Sequence, residues 1–407
     1  MRIAVVNNFY PPRPGGSSHL SDHLARRYAA AGHEVLVITA TYQDALREEV
    51  SEGLRIVRVP AWTLPKSRFA ANFDIGFTLS PGVRRQVFGL LDDFQPDVIH
   101  QHGQFFDLTW LSGWWARRRG VPTLLSIHTR LESPLSRFNS LIYALADRML
   151  VWPMMKLHKP RLVIMDRLMD AYVRARYRGA HSDTVAIPVG IDPTTMEGGQ
   201  RSVVREELGL GDRPTIVSVG HVIPQRSRIA LARALPEILR AVPDLAVVVV
   251  GGLYHEEFLE IAEELGVRSS IITVGAQPQR SIPDYLAAAD VEVHELEGEG
   301  FGTASLEALA VGTPVVARVE TENFIGLHLV DGVHIFQTPP VSRSDPKADP
   351  AALAATLIAV LSDPAAARAK VSDNARGLIA GHFTIDAVAA RHLEVLGEMA
   401  GIEAPVS

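Results

Sequence analysis

Cysteine is absent from the sequence. Without it there are no disulfides, thiolate nucleophiles or zinc–thiolate centres, and redox compartment leaves no signature. Excess positive charge is missing too: 40 Lys and Arg stand against 46 Asp and Glu, a formal charge of −6. Bulk electrostatics therefore makes no case for nucleic acid or an anionic membrane as partner. Apolar runs are short, and LAVVVVGGL near residue 250 is about half of what a membrane span needs. The N-terminal MRIAVVNNFYPP has one charge and a very short apolar run before polar residues and prolines, which reads as a first strand rather than a signal peptide. Neither G-x-G-x-x-G nor G-x-x-x-x-G-K-[ST] occurs, so the common dinucleotide and P-loop readings lose support. Neither D-x-D nor H-E-x-x-H occurs, and His255-Glu256 and His294-Glu295 lack a second histidine, which leaves no metal site to argue for. These absences describe a soluble, cytoplasmic, globular protein.

What the sequence does contain is alternation. At 407 residues, 47% apolar, the chain is too long for one ordinary core and fits two domains of roughly 200 residues. Short β-branched runs (RIAVVNN, EVLVITA, RIVRVP, DVIHQH, TLLSIH, RLVIM, VAIP) are separated by helix-length amphipathic segments. A second series follows with TIVSVG, LAVVVVGG, IITVG, DVEVHE and TPVVA. Strands separated by helices imply parallel sheets covered on both faces, and two fresh series imply two Rossmann-like domains. The polar, glycine-bearing stretch 193–201 marks the boundary. A tail helix is expected at 385–399, and a proline- and aspartate-rich loop at 339–350.

Ligands of open parallel sheets bind outside the carboxyl ends of the strands. That edge collects Asn7, Asn8, His100, His102 and His128 in the first series. In the second it carries Gly220, His221, Gly251, Gly252, Gly275 and the loop 295–302. Sheets facing one another by these edges would bring all of them to one interdomain cleft.

The densest stretch is EGEGFGTASLEALAVGTPVVA, which sets Glu299 and Glu307 eight positions apart around a glycine-rich turn. Gly300 and Gly302 let backbone approach a ligand, and Thr303 begins a helix whose free N–H groups and positive dipole end suit a phosphate. Carboxylates accept hydrogen bonds from paired hydroxyls such as those of a ribose or hexose. The plainer alternative is a capping loop with a solvated helix face. A glycosidase pair is set aside, since its carboxylates must lie roughly 5 Å apart or somewhat more across one bond.

Other features carry less by themselves. Arg226, on the loop of SVGHVIPQRSRIA, can grip a phosphate at a helix start or simply sit in solvent. Gly15-Gly16 precedes the first long helix as a second anion or sugar contact. His128 follows a buried strand, where a hydrogen-bonded structural role competes with a catalytic one. Residues 140–161 combine an apolar face with basic residues near their end; core packing is the preferred reading, and contact with a membrane or lipid acceptor the alternative.

The order of these pieces resembles the retaining, nucleotide-sugar-dependent glycosyltransferases of the GT-B fold, in the large family 4 group that includes glycogen synthase and phosphatidylinositol mannosyltransferase. The likeness runs through PPRPGGSSHL, AAAGHEVLVIT, DVIHQHG, PTLLSIHT, VAIPVGID, SVGHVIPQRS and DVEVHELEGEGFGTASLEALAVGTPVVA, the last with the family's E-x7-E pattern. The resemblance implies an acceptor-binding domain over 1–195, a nucleotide-sugar-binding domain over 196–384, and a C-terminal helix, 385–407, crossing back to the first. It implies that Glu299 binds hydroxyls of the donor sugar and Glu307 the ribose. It implies that Phe301, Gly302 and Thr303 hold sugar and diphosphate through backbone, and that Arg226 stands for a diphosphate-binding lysine. Gly16 would lie over the donor and His128 beside the transferred sugar, so Glu299, His128 and Arg226 form the expected catalytic set. His221 stands where the family usually has arginine, which removes one fixed positive charge from the diphosphate site at pH 7. Glu292, Glu295 and Glu297 add acidity beside Glu299, which would favour an amino-bearing substrate unless water alone solvates them.

The expectation is a metal-independent, cofactor-free transfer of a hexose from a UDP- or GDP-sugar to a hydroxyl acceptor, lipid-linked acceptors included. A sugar-nucleotide epimerase or a non-catalytic sugar-nucleotide-binding protein of the same fold are the alternatives. Cytoplasmic residence, with peripheral attachment at the inner membrane face left open, completes the reading.

Overall fold

A computed structural model describes residues 1–13, 15–51, 53–63, 76–131, 137–224, 226–294, 301–319, 321–338 and 349–402. Contacts divide the chain into two compact units, one of Met1–Glu132, Phe138–Gly190 and Ile385–Ser407, the other of Ser133–Arg137 and Ile191–Thr384. The first unit thus ends at Gly190 where 195 was expected. Ile191 donates its N–H to the Phe383 carbonyl at 2.8 Å and bridges Thr384, which ties it to the second unit. The stretch 193–201 is less of a linker than its composition suggests, since Pro193–Met196 is a 3-10 turn and Arg201–Glu207 a helix.

In the first unit the strands are β1 (Arg2–Asn7), β2 (Glu34–Ala40), β3 (Glu48–Ser51), β4 (Leu54–Val59), β5 (Trp62–Thr63), β6 (Gly76–Phe77), β7 (Val98–His102), β8 (Thr123–Ser126), β9 (Arg161–Ile164) and β10 (Thr184–Ala186). Eight of them form one sheet in the order β10-β9-β8-β7-β1-β2-β4-β3, parallel except for the β3–β4 hairpin, while β5 and β6 pair separately. Strands β3, β5 and β6 have no counterpart among the sequence-derived strands; they are short edge or hairpin pieces without an apolar run. The central strand is sealed on both faces, as a parallel sheet requires. Ile3 and Val5 pack with Leu24, Tyr28 and the C-terminal helix residues Ile385, Val388 and Leu396, while Ala4 and Val6 face Leu108, Leu111 and Trp115.

The second unit holds β11 (Thr215–Val219), β12 (Ala246–Val250), β13 (Ile271–Gly275), β14 (Val291–His294), β15 (Val315–Ala317) and β16 (Phe336–Gln337), all parallel, in the order β13-β12-β11-β14-β15-β16. Only the two-residue β16 escapes the sequence pattern. Strand order reverses direction between β11 and β14 here, and between β1 and β7 in the first unit. Such switch points open a crevice at the carboxyl ends of the strands.

The apolar segment that follows β8 departs from expectation. A helix at Arg137–Ala146, one π-helical turn at Asp147–Val151 and a helix at Trp152–His158 run on continuously. Only Val151 and Met155 enter the core fully, while Leu141, Ile142, Leu145, Met149 and Leu150 are exposed. Core packing holds for one side of this segment and fails for the other, because the helical stripe outnumbers the contacts one buried face can accept.

Candidate active site

The helix Thr303–Val311 follows β14 and starts on Gly302, which offers no side-chain cap. The Thr303 and Ala304 N–H groups accordingly take no hydrogen bond among the described residues, a bare helix N-terminus of the kind that binds anions. The other end is fully engaged. Gly312 closes it in the left-handed region at φ 83°; Arg368 and Ser372 donate to the Gly312 carbonyl at 2.9 and 2.6 Å, and Arg376 to that of Val311 at 2.9 Å. Cations at a helix C-terminus complement the dipole and hold the helix in place. Phe301 is buried edge-on against Phe324, ring centres 6.1 Å apart. Glu299, the expected sugar-binding carboxylate, lies outside the described residues, as do Gly300, Glu295 and Glu297 and residues 339–348 of the expected loop.

Glu292 corrects one expectation. It is fully buried on β14 and accepts the Ser305 hydroxyl at 3.0 Å, so it fastens the helix to the strand and is not a solvent-facing carboxylate. Alternation along a buried parallel strand turns it inward. Glu307 sits two residues beyond Ser305, half-buried, and accepts from Gln279 Nε2 at 2.8 Å. Burial, reinforced by the Glu292 charge, pushes its carboxyl up to about 7.

The loop after β11 supplies the cations. Arg228 is buried in the left-handed region at φ 61°; its guanidinium donates to Ser218 Oγ at 3.0 Å and to the carbonyls of Arg226 and Gly220 at 2.8 and 3.1 Å. It stitches the loop to the strand end, a role the sequence did not disclose. Arg226 is half-buried, and no carboxylate among the described residues pairs with its guanidinium. Burial lowers it from its usual value, yet a guanidinium stays charged at any ordinary pH. His221 Nδ1 accepts the Gly252 N–H at 3.0 Å, which assigns its proton to Nε2 and leaves that N–H as a neutral donor. Burial, then Arg226 and Arg228, hold His221 below the usual imidazole range. The close crossing of β11 and β12 that makes this bond depends on Gly251, at φ 145°, where a Cβ would overlap the Gly220 carbonyl.

In the first unit, the two asparagines at the end of β1 are scaffold. Asn7 Nδ2 donates to the Ser17 carbonyl and Ser21 Oγ at 3.2 and 3.0 Å, pinning the start of the helix Gly16–Ala30. Asn8 Nδ2 holds the Gly76 carbonyl and Asp107 at 3.0 and 2.7 Å. Gly15 adopts φ 143°, whereas Gly16 needs no special backbone; a Cβ at Gly16 would meet nothing within 4 Å. The expected lone His128 is one of four. Its Nε2 lies 2.9 Å from His102 Nδ1, the rings parallel and 5.1 Å apart. The His100 ring lies tilted with its centre 4.2 Å from that of His102, and it is bonded to the Tyr28 and Ser126 hydroxyls. His392, from the C-terminal helix, stands 5.0 Å from His100. Burial holds all four neutral: His128 and His392 fall to about 4, and His100 and His102 well below the usual range. His392 was invisible from sequence because its partners are hundreds of residues away.

The structure therefore gathers Phe301, Gly302, Thr303 and Glu307 at one helix start and His221 with Arg226 at the end of the neighbouring strand, since β11 and β14 pair directly. Gly16 and His128 belong to the carboxyl edge of the first unit. Residues 15–190 match the glycosyl transferase 4-like domain, and residues 200–378 match glycosyl transferases group 1. The alpha-monoglucosyldiacylglycerol synthase of Streptococcus pneumoniae is 27% identical over 338 residues, 78% of this chain and 71% of that protein. A GDP-mannose-dependent alpha-(1-6)-phosphatidylinositol monomannoside mannosyltransferase of Mycobacterium tuberculosis is 25% identical over 345 residues, 78% of this chain and 80% of its own. Among solved structures, sucrose-phosphate synthase from Thermosynechococcus elongatus superposes with a TM-score of 0.74 at 20% identity, covering 98% of this chain and 99% of that one. The Anabaena protein HepE, solved with UDP and glucose, superposes at 0.70 with 18% identity, covering 98% and 100%. These likenesses place the fold as GT-B.

Proposed function

The chain belongs to the family 4 type of glycosyltransferases, and from that premise we propose that it moves a hexose, with retention of configuration and without a metal ion, from a nucleoside diphosphate sugar to the hydroxyl of a membrane lipid. The observation that carries the reading is the pairing of an uncapped helix N-terminus with Arg226, a cation free of any carboxylate among the described residues, on adjacent strand ends. Negative charge grows on the diphosphate as the glycosidic bond breaks. Preorganised donors aimed at that charge lower the barrier, and the Thr303 and Ala304 amides, Arg226 and the His221 Nε2–H supply them. Glu307 accepts the ribose hydroxyls, and Glu299 the hydroxyls of the sugar. Gly16 and the neutral His128 enter the reading through the family resemblance, which makes them contacts of the donor sugar. In this scheme the leaving phosphate takes the acceptor proton on the face it departs from, so no protein base is needed. The lipid acceptor rests on the names of the relatives, an alpha-monoglucosyldiacylglycerol synthase and a phosphatidylinositol monomannoside mannosyltransferase.

The test is calorimetric titration with UDP, GDP, ADP and TDP in the presence of EDTA, repeated for Glu307→Ala. One nucleotide should bind in the micromolar range and weaken by about tenfold or more in the variant. Nucleotide release from the matching donor should then require acceptor, and the product anomer should match that of the donor. Absence of binding by all four nucleotides would sink the assignment of donor class; loss of binding in EDTA alone would sink metal independence.

A further inference from the structure

The surface formed by Arg137–Ala146 and the turns after it carries an apolar stripe with no packing partner among the described residues. Phe138 is 70% exposed, Leu141 66%, Leu145 56% and Met149 64%, at helical intervals along one side. Isolated exposed apolar residues are ordinary, whereas a continuous row of large ones marks a contact surface. Three further features say what covers it. The one acid between residues 137 and 161, Asp147, is turned inward, where the Tyr172 and Tyr177 hydroxyls each donate to it at 2.7 Å. Arg148, Lys156 and Lys159 remain exposed on the outer side. Trp152 lies between two of these cations, its ring 4.4 Å from the Arg148 guanidinium and 4.6 Å from the Lys156 ammonium. In a chain of net charge −6, this segment therefore shows solvent an apolar row flanked by cations and an amphipathic ring, and no exposed acid. No single helix among the described residues is long and apolar enough to cross a membrane.

We infer that this face docks on an anionic bilayer, the helix lying in the plane of the interface with Leu141, Leu145 and Met149 among the acyl chains and Arg148, Lys156 and Lys159 at the phosphates. Apolar insertion and headgroup attraction together set the strength of such an interfacial helix. A second copy of the chain would satisfy the leucines but not the row of cations, which would then face themselves across a two-fold axis. Vesicle binding is measured with no nucleotide present, so its failure is distinguishable from failure of nucleotide binding.

Co-sedimentation of the full chain with phosphatidylcholine vesicles, with and without about one-third phosphatidylglycerol, tests it. The anionic vesicles should bind about tenfold more tightly than the neutral ones at low salt, and the difference should shrink at high salt. Leu141→Glu with Leu145→Glu should weaken binding to both vesicles by about tenfold or more. Arg148→Glu with Lys156→Glu should remove the preference for anionic lipid and leave weak binding to neutral lipid. Both variants should melt within a few degrees of the parent, because the altered side chains are exposed. Failure of the parent to sediment with anionic vesicles overturns the inference. So does parental binding by both variants, or a dimer that the leucine variant alone dissociates.

Discussion

Glu307 holds its proton at a pH where an ordinary glutamate has long since lost it. Its carboxyl titrates near 7 because it leaves water on folding and stands close to Glu292, while one Gln279 bond only partly compensates. In the proposed site the ionised form accepts from a ribose hydroxyl more strongly than the protonated acid does. Nucleotide affinity should therefore strengthen by up to about tenfold from pH 6 to pH 8, and lose this dependence in Glu307→Gln. The stability effect has the opposite sense. A carboxyl whose folded pKa is raised stabilises the fold below its unfolded value near 4.5, and that contribution is lost as pH rises toward 7. Glu307→Gln should thus stabilise the ligand-free protein at pH 8 by about 1–3 kcal/mol and change little at pH 4. A variant that both melts lower at pH 8 and keeps the pH-dependent affinity would show that the carboxylate has no part in binding.

Elements are placed by backbone contacts that only particular residues permit. The ends of β11 and β12 meet where Gly251 passes the Gly220 carbonyl, and the Gly252 N–H beyond them sets the His221 tautomer. A methyl group on Gly251 has no room and would sit at an unfavourable positive φ. Gly251→Ala should cost about 2–4 kcal/mol in denaturant unfolding. Gly16 is the contrasting position, with ordinary backbone and empty space around it. Gly16→Ala should leave the unfolding midpoint nearly unchanged and instead raise KM for the donor several-fold. Equal melting losses at the two glycines would mean that Gly16 serves packing and not ligand approach. The helix Thr303–Val311 follows the same logic, since its C-terminus is clasped while its N-terminal amides take no hydrogen bond among the described residues.

At the scale of the whole chain, the buried histidines of the first unit make its stability depend on acid. His100, His102, His128 and His392 are neutral in the fold, with His128 and His392 lowered to about 4. An unfolded histidine takes up its proton near pH 6.5. Stability is therefore complete above about pH 6.5 and drains away as pH falls toward 4, on the order of 1 kcal/mol per pH unit for each group. Calorimetric melting should show Tm falling steeply from pH 7 to pH 5, with a shallower slope in His392→Phe and an almost unchanged Tm at pH 8. A Tm that stays level across this range would mean the four rings are protonated within the fold. The C-terminal helix contributes to this behaviour although it lies nearly the whole chain length from its partners, a consequence of Ile385–Ser407 joining the first unit.

Alternating β-branched runs and amphipathic segments, read without any structure, were enough for two parallel sheets, their strands and the edge where chemistry collects. The reason is physical: buried parallel strands must be apolar on both faces, so each main strand announces itself, whereas β3, β5, β6 and β16 are too short or too exposed to do so. The sequence likewise determined the bare helix start at Thr303 and the glycines beside it, because local backbone needs dictate those residues. Tertiary structure alone decided which polar groups are free to act. It turned Glu292 inward to Ser305, assigned Arg228 to the loop and left Arg226 without a carboxylate among the described residues. It also joined His392 to three distant histidines and left Leu141 and Leu145 facing solvent. Such outcomes depend on distances between residues remote in the chain, which local pattern does not encode.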